Sequence, residues 1–332
     1  MKKQLKYLVC PLNWGLGHAS RMIPVVNDLL KQGNKVILGG DGDALRLMSN
    51  EFPDLQTVSI PDVEVRLGHK TICWSLLGLV PKMIYSSFRE HCILKRLIKC
   101  TAIDVVIADN RYGLWNKKIK SIFVTHQLML KLPKALKILE YPVHLLIKMA
   151  VARFDTCWVP DYADRQNSLS GDLSHKYALP RNTTFIGPLS RFAQAKQVST
   201  DRSFKVVAVL SGPEPLRSEL EEELRAVLSH SHASALIVQG KPSERKQYTT
   251  VGNITSVPHL DTLELRAILK KAHTVICRSG YSSIMDLEYF KSKAILIPTP
   301  GQTEQEYLAL HLTHKHLTIN QTDVKVQLIN YL

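Results

Sequence analysis

Short apolar runs alternate with longer segments of helical periodicity along this chain. Residues 6–12 read as a strand, residues 22–32 carry apolar side chains at helical spacing, and residues 35–39 form a second apolar run. Gly33 follows the predicted helix at the position where glycine commonly ends one. This strand–helix–strand order is typical of a parallel α/β sheet.

The same alternation starts again in the second half of the chain. Strands are predicted at residues 205–210, 235–239 and 254–257, with helices at 218–228 and 263–272. The polar segment 192–202 between the halves is the predicted linker. A chain of 332 residues is long enough to bury two cores. We therefore predict two Rossmann-like domains, residues 1–191 and 192–332.

The most informative strand–turn–helix unit lies at residues 275–309. Its sequence is VICRSGYSSIMDLEYFKSKAILIPTPGQTEQEYLA. An apolar run ends at Cys277, a small-residue turn covers Ser279 to Ser283, and a helix is predicted from there to Lys291. A Ser/Gly turn that opens a helix exposes backbone N–H groups at the positive end of the helix dipole. This arrangement predicts a phosphate-binding site.

A second glycine turn, Gly15-Leu16-Gly17-His18, follows the first predicted strand. Glycines at such a turn let the backbone approach a ligand closely, and the histidine is placed at the start of a helix. The turn differs from the dinucleotide-binding fingerprint, which would need glycine at Ser20. A tight turn with a capping histidine is the alternative interpretation.

Polar residues follow several of the predicted strands in the first half. Because α/β proteins bind ligands at the carboxyl ends of their strands, these residues are predicted to face one crevice on the acceptor side. They are Asn13, Asp109, Asn110, His126 and Gln127. A hydrogen bond that only fixes a loop is the alternative for each of them.

The formal net charge of +14 favours anionic partners, namely nucleotides, nucleic acid or anionic lipid. Nucleic acid is the least favoured of these, because the basic residues are dispersed and no aromatic–basic motif of an RNA-binding module is present. Hydrophobic content of 45% and charged content of 22% are typical of a globular domain.

Residues 128–154 combine leucine, isoleucine and methionine with lysine, and Glu140 is the only acidic residue of this segment. A basic amphipathic helix of this kind can lie in the headgroup layer of an anionic membrane. A core-facing helix pair with a lysine-rich outer face is the alternative. No apolar run approaches the roughly 20 residues of a transmembrane helix.

The six cysteines form no CxxC pair and no His/Cys metal spacing. Most lie within apolar runs, which predicts reduced core residues of a cytoplasmic protein. If residues 128–154 bind membrane, the corresponding prediction is a peripheral location on the inner face of the plasma membrane.

The motifs of the second half resemble the C-terminal domain of glycosyltransferase family 28. The resemblance rests on CRSG at 277–280, Asp286 six positions after Gly280, IPTPG at 297–301 and the QEY that begins at Gln305. In the first half, GLGH resembles the family's N-terminal glycine turn, and residues 187–191 resemble its interdomain motif. The family includes the MurG-like enzymes, which add N-acetylglucosamine to a lipid-linked acceptor.

This resemblance implies the GT-B fold, two Rossmann-like domains facing across a cleft, with the acceptor bound by the first and a UDP-sugar by the second. By position, Ser279 and Gly280 would bind the diphosphate, Asp286 the ribose and Gln305 the transferred sugar. The other residues predicted to bind the donor are Gly17, Arg191, Ser211, Gly212, Leu260, Arg278, Tyr281, Ser282 and Glu306. Capping boxes at 283–286 and 303–306 are the alternative for Asp286 and Glu306.

The chemistry implied is an inverting displacement in which an acceptor hydroxyl attacks the anomeric carbon. His18 is the predicted general base, because the positive end of a helix dipole disfavours an imidazolium. The helix at residue 281 would stabilise the leaving diphosphate. The only Asp-x-Asp pair, Asp41 and Asp43, lies at a helix start in the other half. We therefore predict no divalent metal and no cofactor.

One departure from the family leaves a second activity open. Arg21 stands where MurG-like enzymes have proline, and GxGHxxR is closer to hydrolases that cleave nucleotide-linked amino sugars in nonulosonic acid synthesis. In that case His18 would activate water. The transferase prediction is the transfer of an N-acetylhexosamine from its UDP conjugate to a lipid-linked or glycan acceptor.

Overall fold

Contacts divide the chain into two units, residues 1–189 and 190–332, each built on its own sheet. The structure is a computed structural model that describes residues 4–62, 72–193, 199–212, 214–242 and 244–332, with only the backbone described for residues 72–80. The predicted linker falls partly outside these ranges, at residues 194–198.

The N-terminal unit is a seven-stranded parallel sheet with the strand order β3-β2-β1-β4-β5-β6-β7. Its strands are β1 Lys6–Pro11, β2 Lys35–Gly40, β3 Gln56–Ser59, β4 Val105–Asp109, β5 Lys120–Val124, β6 Thr156–Val159 and β7 Thr183–Phe185. The central strands are buried almost throughout, as expected for a parallel sheet with helices on both faces.

The helices described between these strands are α1 Leu16–Lys31, α2 Gly42–Glu51, α3 Ile72–Cys100, α4 Glu140–Val151 and α5 Asp172–His175. Alternate residues of β1 and β4 point to opposite faces of the sheet. Val9 and Ile107 pack with α1 and α2, whereas Leu8 and Val106 pack with α3 and α4. The position of the GLGH turn differs from the prediction, because α1 begins at Leu16 and takes His18 into its first turn.

The C-terminal unit is a second seven-stranded sheet, with the order β10-β11-β9-β8-β12-β13-β14. Its strands are β8 Val206–Val209, β9 Ala235–Val238, β10 Thr249–Val251, β11 Ile254–Val257, β12 Thr274–Cys277, β13 Ala294–Leu296 and β14 Leu317–Thr318. Among the described strands of this unit, only β10 is antiparallel to its neighbour. The helices are α6 Leu216–Leu228, α7 Thr262–Leu269, α8 Tyr281–Phe290, α9 Thr303–His311 and α10 Val324–Gln327.

The basic apolar segment 128–154 is not one continuous helix. A 3₁₀ segment, Lys134–Leu139, leads into α4, and the residues before it are irregular. Only one face of α4 packs inward, through Glu140, His144, Ile147 and Val151. The opposite face exposes Tyr141, Leu145, Leu146 and Met149.

The start of the predicted linker is part of a core. Phe192 is fully buried and packs with residues of the C-terminal unit. In the described part of the chain, no helix combines the length and apolar character needed to cross a membrane.

Candidate active site

The candidate catalytic residues of the N-terminal unit lie where the direction of strand order reverses. β1 and β4 are neighbouring parallel strands, yet the chain continues from β1 to β2 on one side and from β4 to β5 on the other. Loops at such a point separate and leave room for a ligand. The loop after β1 carries the GLGH turn, and β4 ends at Asp109.

The GLGH turn forms the N-terminus of α1. Gly15 is the N-cap residue with φ 123°, in a region that favours glycine. No side chain caps the helix, and no acidic residue occurs in its first turn. The His18 side chain lies in this turn and is 17% exposed. The ring is therefore accessible and lies in the positive potential of the helix end.

His18 contacts a buried carboxylate. Its Nδ1 lies 3.2 Å from Oδ2 of Asp109, and this carboxylate is fully buried. Arg21, one turn further along α1, binds the same carboxylate through both oxygens, with Nε donating to Oδ2 at 2.8 Å. His18, Arg21 and Asp109 thus form one cluster from α1 and the end of β4.

The charge of Asp109 is held by its neighbours. Burial acts to raise the pKa of this carboxyl, but the positive charge of Arg21 and the contact with His18 outweigh burial, so its pKa is lowered. Asp109 is therefore ionised at neutral pH. Nδ1 of His18 lies 3.2 Å from Oδ2 of Asp109 and 2.9 Å from Nη2 of Arg21. In the Nδ1–H tautomer the ring donates to Asp109 and Nε2 is the basic nitrogen.

The other residues predicted on the acceptor side have different surroundings. His126 is buried, and its Nδ1 lies 3.0 Å from Nη1 of Arg21. Asn110 has a left-handed backbone, φ 53°, and its buried Oδ1 has no hydrogen-bond partner among the described residues. The backbone N–H of Gln127 donates to Thr125 Oγ1.

Asn13 has a structural function in addition to its place in the loop. Its Oδ1 accepts a hydrogen bond from Ala44 N in the first turn of α2, and its backbone N–H donates to Asp62. The side chain therefore caps α2 from a neighbouring loop, which corresponds to the loop-fixing alternative.

The C-terminal unit has its own strand-order reversal, between β8 and β12. The loop after β8 contains Ser211 and Gly212, with φ 109° at Gly212, and the loop after β12 contains Ser279 and Gly280. A Cβ atom added at Gly280 would contact nothing within 4 Å. The predicted phosphate turn therefore borders open space at this edge of the sheet.

Helix α8 begins directly after this turn. Gly280 is its N-cap residue, no side chain caps it, and no acidic residue lies in its first turn. Tyr281 and Ser282 are the first two helical residues. The first N–H groups of a helix have no partner within the helix, so this end is suited to an anion.

The side chains of Arg278 and Ser279 are directed into the unit. Both residues are fully buried. Arg278 donates to Leu216 O at 2.7 Å and to Gln321 Oε1 at 2.9 Å, and Ser279 Oγ donates to Gln305 O at 2.8 Å. Burial lowers the pKa of Arg278 to about 10, and Glu223 and Glu219 act in the opposite direction. These side chains connect loops. In a donor site, Arg278 and Ser279 would therefore contact the ligand through their backbone atoms.

Asp286 lies on α8 and contacts the start of the unit. Ser190 Oγ donates to its Oδ1 at 2.7 Å, and Arg191 Nε lies 3.4 Å from its Oδ2. Asp286 does not cap α8, since the helix begins at Tyr281 without a side-chain cap. Burial raises the pKa of this carboxyl, and Arg191 and Ser190 offset only part of the effect. An apolar cavity lined by Leu287 and Phe290 lies beside it.

The two candidate residues of α9 hold the loop before that helix. Gln305 Oε1 accepts from Thr299 N at 3.0 Å, and Glu306 Oε1 accepts from Gly301 N at 2.8 Å. These contacts differ from a capping box, because α9 begins at Thr303 with Gln302 as its N-cap residue. Leu260, predicted to cover a base, is 5% exposed and packs in the core with α7.

Two residues in these clusters were missed by the sequence predictions. Arg21 was noted only as a departure from the family pattern, although its spacing of three from His18 places both on one helix face. Ser190 carried no signal beyond its position next to Arg191. Across the described ranges, no group of three or more His, Cys, Asp or Glu side chains is placed to hold a metal ion.

Comparison with known proteins identifies the C-terminal part of the chain. Residues 217–332 match the family model for the glycosyltransferase family 28 C-terminal domain. Among curated protein sequences, no relative matches.

Several solved structures resemble the whole chain. The kitacinnamycin glycotransferase has a TM-score of 0.63 at 13% identity, covering 97% of this chain and 87% of its own. Arabidopsis thaliana UGT89C1 complexed with UDP-L-rhamnose has a TM-score of 0.62 at 13% identity, covering 100% and 91%. The spinosyn rhamnosyltransferase SpnG complexed with thymidine diphosphate has a TM-score of 0.62 at 14% identity, covering 98% and 91%.

At 13–14% sequence identity, the solved structures establish only the fold. The family match shows to which domain family residues 217–332 belong. The solved structures agree with the predicted two-domain α/β architecture. The family match agrees with the predicted family over residues 217–332. Residues 217–332 are thus a glycosyltransferase family 28 C-terminal domain, and the chain as a whole has the two-domain α/β GT-B fold.

Proposed function

We propose that this glycosyltransferase moves an N-acetylhexosamine from its UDP conjugate to an acceptor hydroxyl, with inversion and without a metal ion. The observation that carries the proposal is the contact between His18 Nδ1 and Asp109 Oδ2 at the N-terminus of α1. A histidine oriented by a buried carboxylate is suited to take a proton from a hydroxyl.

In the proposed reaction, the acceptor oxygen forms a bond to the anomeric carbon while the bond from that carbon to the diphosphate oxygen breaks. Attack from the opposite side inverts the anomeric configuration. The hydroxyl proton passes to Nε2 of His18, and the imidazolium formed donates its Nδ1–H to Asp109. General bases of this kind contribute roughly 10²- to 10⁴-fold to the rate.

The donor is assigned to the C-terminal unit. The uncapped N-terminus of α8 supplies N–H groups and positive potential for the charge that develops on the leaving diphosphate. Asp286 is proposed to bind the ribose hydroxyls, and Gln305 the hydroxyls of the sugar, as the resemblance to family 28 implies. Complexes of similarly folded proteins with UDP-L-rhamnose and thymidine diphosphate support a nucleoside diphosphate as the common part of the ligand.

Metal independence is proposed because the helix N-terminus can neutralise the leaving group. The one Asp-x-Asp pair serves α2 instead. Asp41 is the N-cap residue of α2 and accepts from Asp62 N, and Asp43 lies beside Arg46 on the exposed side of the helix.

The acceptor is proposed to be presented at an anionic membrane surface. The apolar residues exposed on the 3₁₀ segment and α4 include Ile138 at 86%, Leu146 at 65% and Met149 at 67% exposure. Lys134 and Lys137 are exposed next to them. Apolar side chains flanked by lysines are suited to the interface of an anionic bilayer. A lipid-linked acceptor and a peripheral location in the cell envelope would follow from this surface.

Product analysis tests the reaction. The enzyme is incubated with UDP-N-acetylglucosamine and with candidate lipid-linked or glycan acceptors, in the presence of EDTA. Transfer to an acceptor with inverted configuration supports the proposal. Release of free sugar at the same rate with and without any acceptor supports a hydrolase and contradicts it, and loss of activity in EDTA contradicts metal independence.

A further inference from the structure

Trp14 is an exposed tryptophan just before the helix turn that carries His18. It is 38% exposed. Trp115 and Trp158, by contrast, pack against the two apolar cores described for the N-terminal unit, and Trp14 is a member of neither core. Because an indole is large and mostly apolar, leaving more than a third of it exposed forgoes part of the free energy that burial would contribute.

The backbone on both sides of Trp14 is held in place. Asn13 N donates to Asp62 Oδ2 at 2.9 Å, and Asn13 Oδ1 accepts from Ala44 N at 3.1 Å. Gly15, the N-cap residue of α1, follows with φ 123°. The indole is therefore carried on a defined backbone, which reduces the conformational entropy lost when a ligand binds to it.

A purely structural function for Trp14 would be a hydrophobic staple. In a staple, the residue before the N-cap packs against the fourth residue of the helix. The fourth residue of α1 is Ala19, which is fully buried and offers only a methyl group. A staple on Ala19 would use a small part of the indole, so it does not account for a side chain of this size.

Trp14 is close in the chain to the proposed base. Consecutive Cα atoms are about 3.8 Å apart and a helix rises about 1.5 Å per residue, so the Cα atoms of Trp14 and His18 are less than roughly 10 Å apart. Both residues follow β1, at the point where the direction of strand order reverses. A ring that contacts the indole can therefore present one of its hydroxyls to His18.

We propose that Trp14 binds the acceptor by stacking against the apolar face of a sugar ring, which makes a carbohydrate the class of acceptor. This inference rests on the proposed function, because the attacking hydroxyl is the one that His18 deprotonates. A pyranose has C–H groups on its face, which suit an indole, and hydroxyls at its edge. The side-chain amides of Asn110 and Gln127, which follow β4 and β5 at the same edge of the sheet, can bind hydroxyls.

Binding of simple glycosides tests the inference without a donor sugar. Methyl β-glucoside and methyl N-acetyl-β-glucosaminide are titrated into the protein with and without UDP, and their affinity is measured by NMR. Phenol is titrated in parallel as an aromatic ring without sugar hydroxyls. A single sugar ring is expected to bind with a Kd of about 1–10 mM.

The variants separate stacking from other contacts. Trp14→Ala should weaken glycoside binding by roughly tenfold or more, because the apolar face of the sugar loses its partner. Trp14→Phe keeps an aromatic face and should stay within about threefold of the wild type. If Trp14→Ala does not fold, Trp14→Leu takes its place, since it keeps an apolar side chain but has no aromatic face.

Tryptophan emission gives a second, independent readout. The part of the emission that is lost in Trp14→Phe is assigned to Trp14, and it should change as the glycoside saturates the site. Trp115→Phe removes a tryptophan that packs against a core and is the matched control, in which the response should persist.

Equal glycoside affinity in the wild type and Trp14→Ala, or equal loss of affinity in Trp14→Phe and Trp14→Ala, overturns the inference. Emission of Trp14 that stays unchanged up to about 0.1 M glycoside overturns it as well. So does a response to phenol alone, which would identify an aromatic acceptor. The proposed function fails separately, if His18→Ala retains wild-type turnover.

Discussion

Oδ2 of Asp109 lies 3.2 Å from Nδ1 of His18, although 91 positions separate the two residues in the chain. Parallel pairing of β1 with β4 brings the loop after one strand next to the end of the other. The contact joins a ring at an uncapped helix N-terminus to a carboxylate that is fully buried. This contact orients the ring of His18.

Replacing His18 by alanine should lower kcat by roughly 10²- to 10⁴-fold while UDP still binds, because a general base acts on the transition state and not on the donor. Turnover and calorimetric affinity for UDP are measured on the same preparation. Retention of more than about a tenth of wild-type kcat would remove His18 from the base position.

Asp109→Asn should destabilise the protein, since it leaves the buried Arg21 guanidinium without its counter-charge. Breaking one side of a buried ion pair costs about 3–5 kcal/mol. The lowered pKa of Asp109 means that its carboxylate stabilises the fold at neutral pH, and this contribution is lost as the pH falls through its folded pKa.

Thermal unfolding of wild type and Asp109→Asn checks this sign. The difference in Tm should be largest at pH 7 and should shrink below about pH 4, which is near the ordinary pKa of an aspartate side chain. Asp54→Asn, at an exposed position, is the control and should change Tm little at either pH. A Tm difference for Asp109→Asn that stays constant down to pH 3 would show that the ionised Asp109 carboxylate does not stabilise the fold.

The order of strands and helices around the turns at residues 15–18 and 279–283 could be predicted from the sequence. A glycine turn between a buried apolar run and an amphipathic segment is compatible with few structures other than strand–turn–helix. The sequence was less reliable for helix starts. α1 begins at Leu16, six residues before the predicted start, since Leu16, Gly17 and His18 already belong to the helix. For the segment 128–154, one amphipathic helix and a core-facing helix pair were both left open by the sequence. In the structure, Pro133 precedes a short 3₁₀ segment and regular helix begins only at Glu140.

The side-chain clusters could not be derived in the same way. Arg21 and Asp109 are 88 positions apart, and no local pattern indicates that they meet. Arg278 belongs to a motif of the family, but only the structure shows that its guanidinium donates hydrogen bonds to Leu216 O and Gln321 Oε1 inside the unit. Such contacts depend on which loops meet at a sheet edge, which is a property of the tertiary fold.

Asp286→Asn should weaken UDP binding by roughly 10- to 100-fold, as expected for loss of a hydrogen bond to a charged group worth about 1.5–3 kcal/mol. The fold should suffer little, because burial raises the pKa of this carboxyl and a neutral amide removes the cost of a buried charge. Calorimetry measures the affinity and thermal unfolding measures the stability. Lost stability with unchanged affinity would instead identify Asp286 as a structural partner of Ser190 and Arg191.

Leu146→Glu combined with Met149→Glu should reduce binding to vesicles containing anionic lipid, because both side chains are more than half exposed on α4 and would meet the bilayer. Flotation is compared for anionic and neutral vesicles. Val326→Glu, on the exposed side of α10 in the other unit, is the matched control. Equal flotation of the double variant and the wild type would show that the exposed face of α4 does not bind the membrane.

We propose that the C-terminal unit binds the diphosphate of a UDP-sugar at the N-terminus of α8 without a metal ion. Calorimetric titration of UDP into the protein in EDTA, repeated with Gly280→Val, tests it most directly. A valine at this N-cap position would occupy the open space beside the turn. The wild type should bind UDP saturably in EDTA, and Gly280→Val should lose this binding. Absence of binding until a divalent cation is added, or equal affinity in the variant, would contradict this proposal.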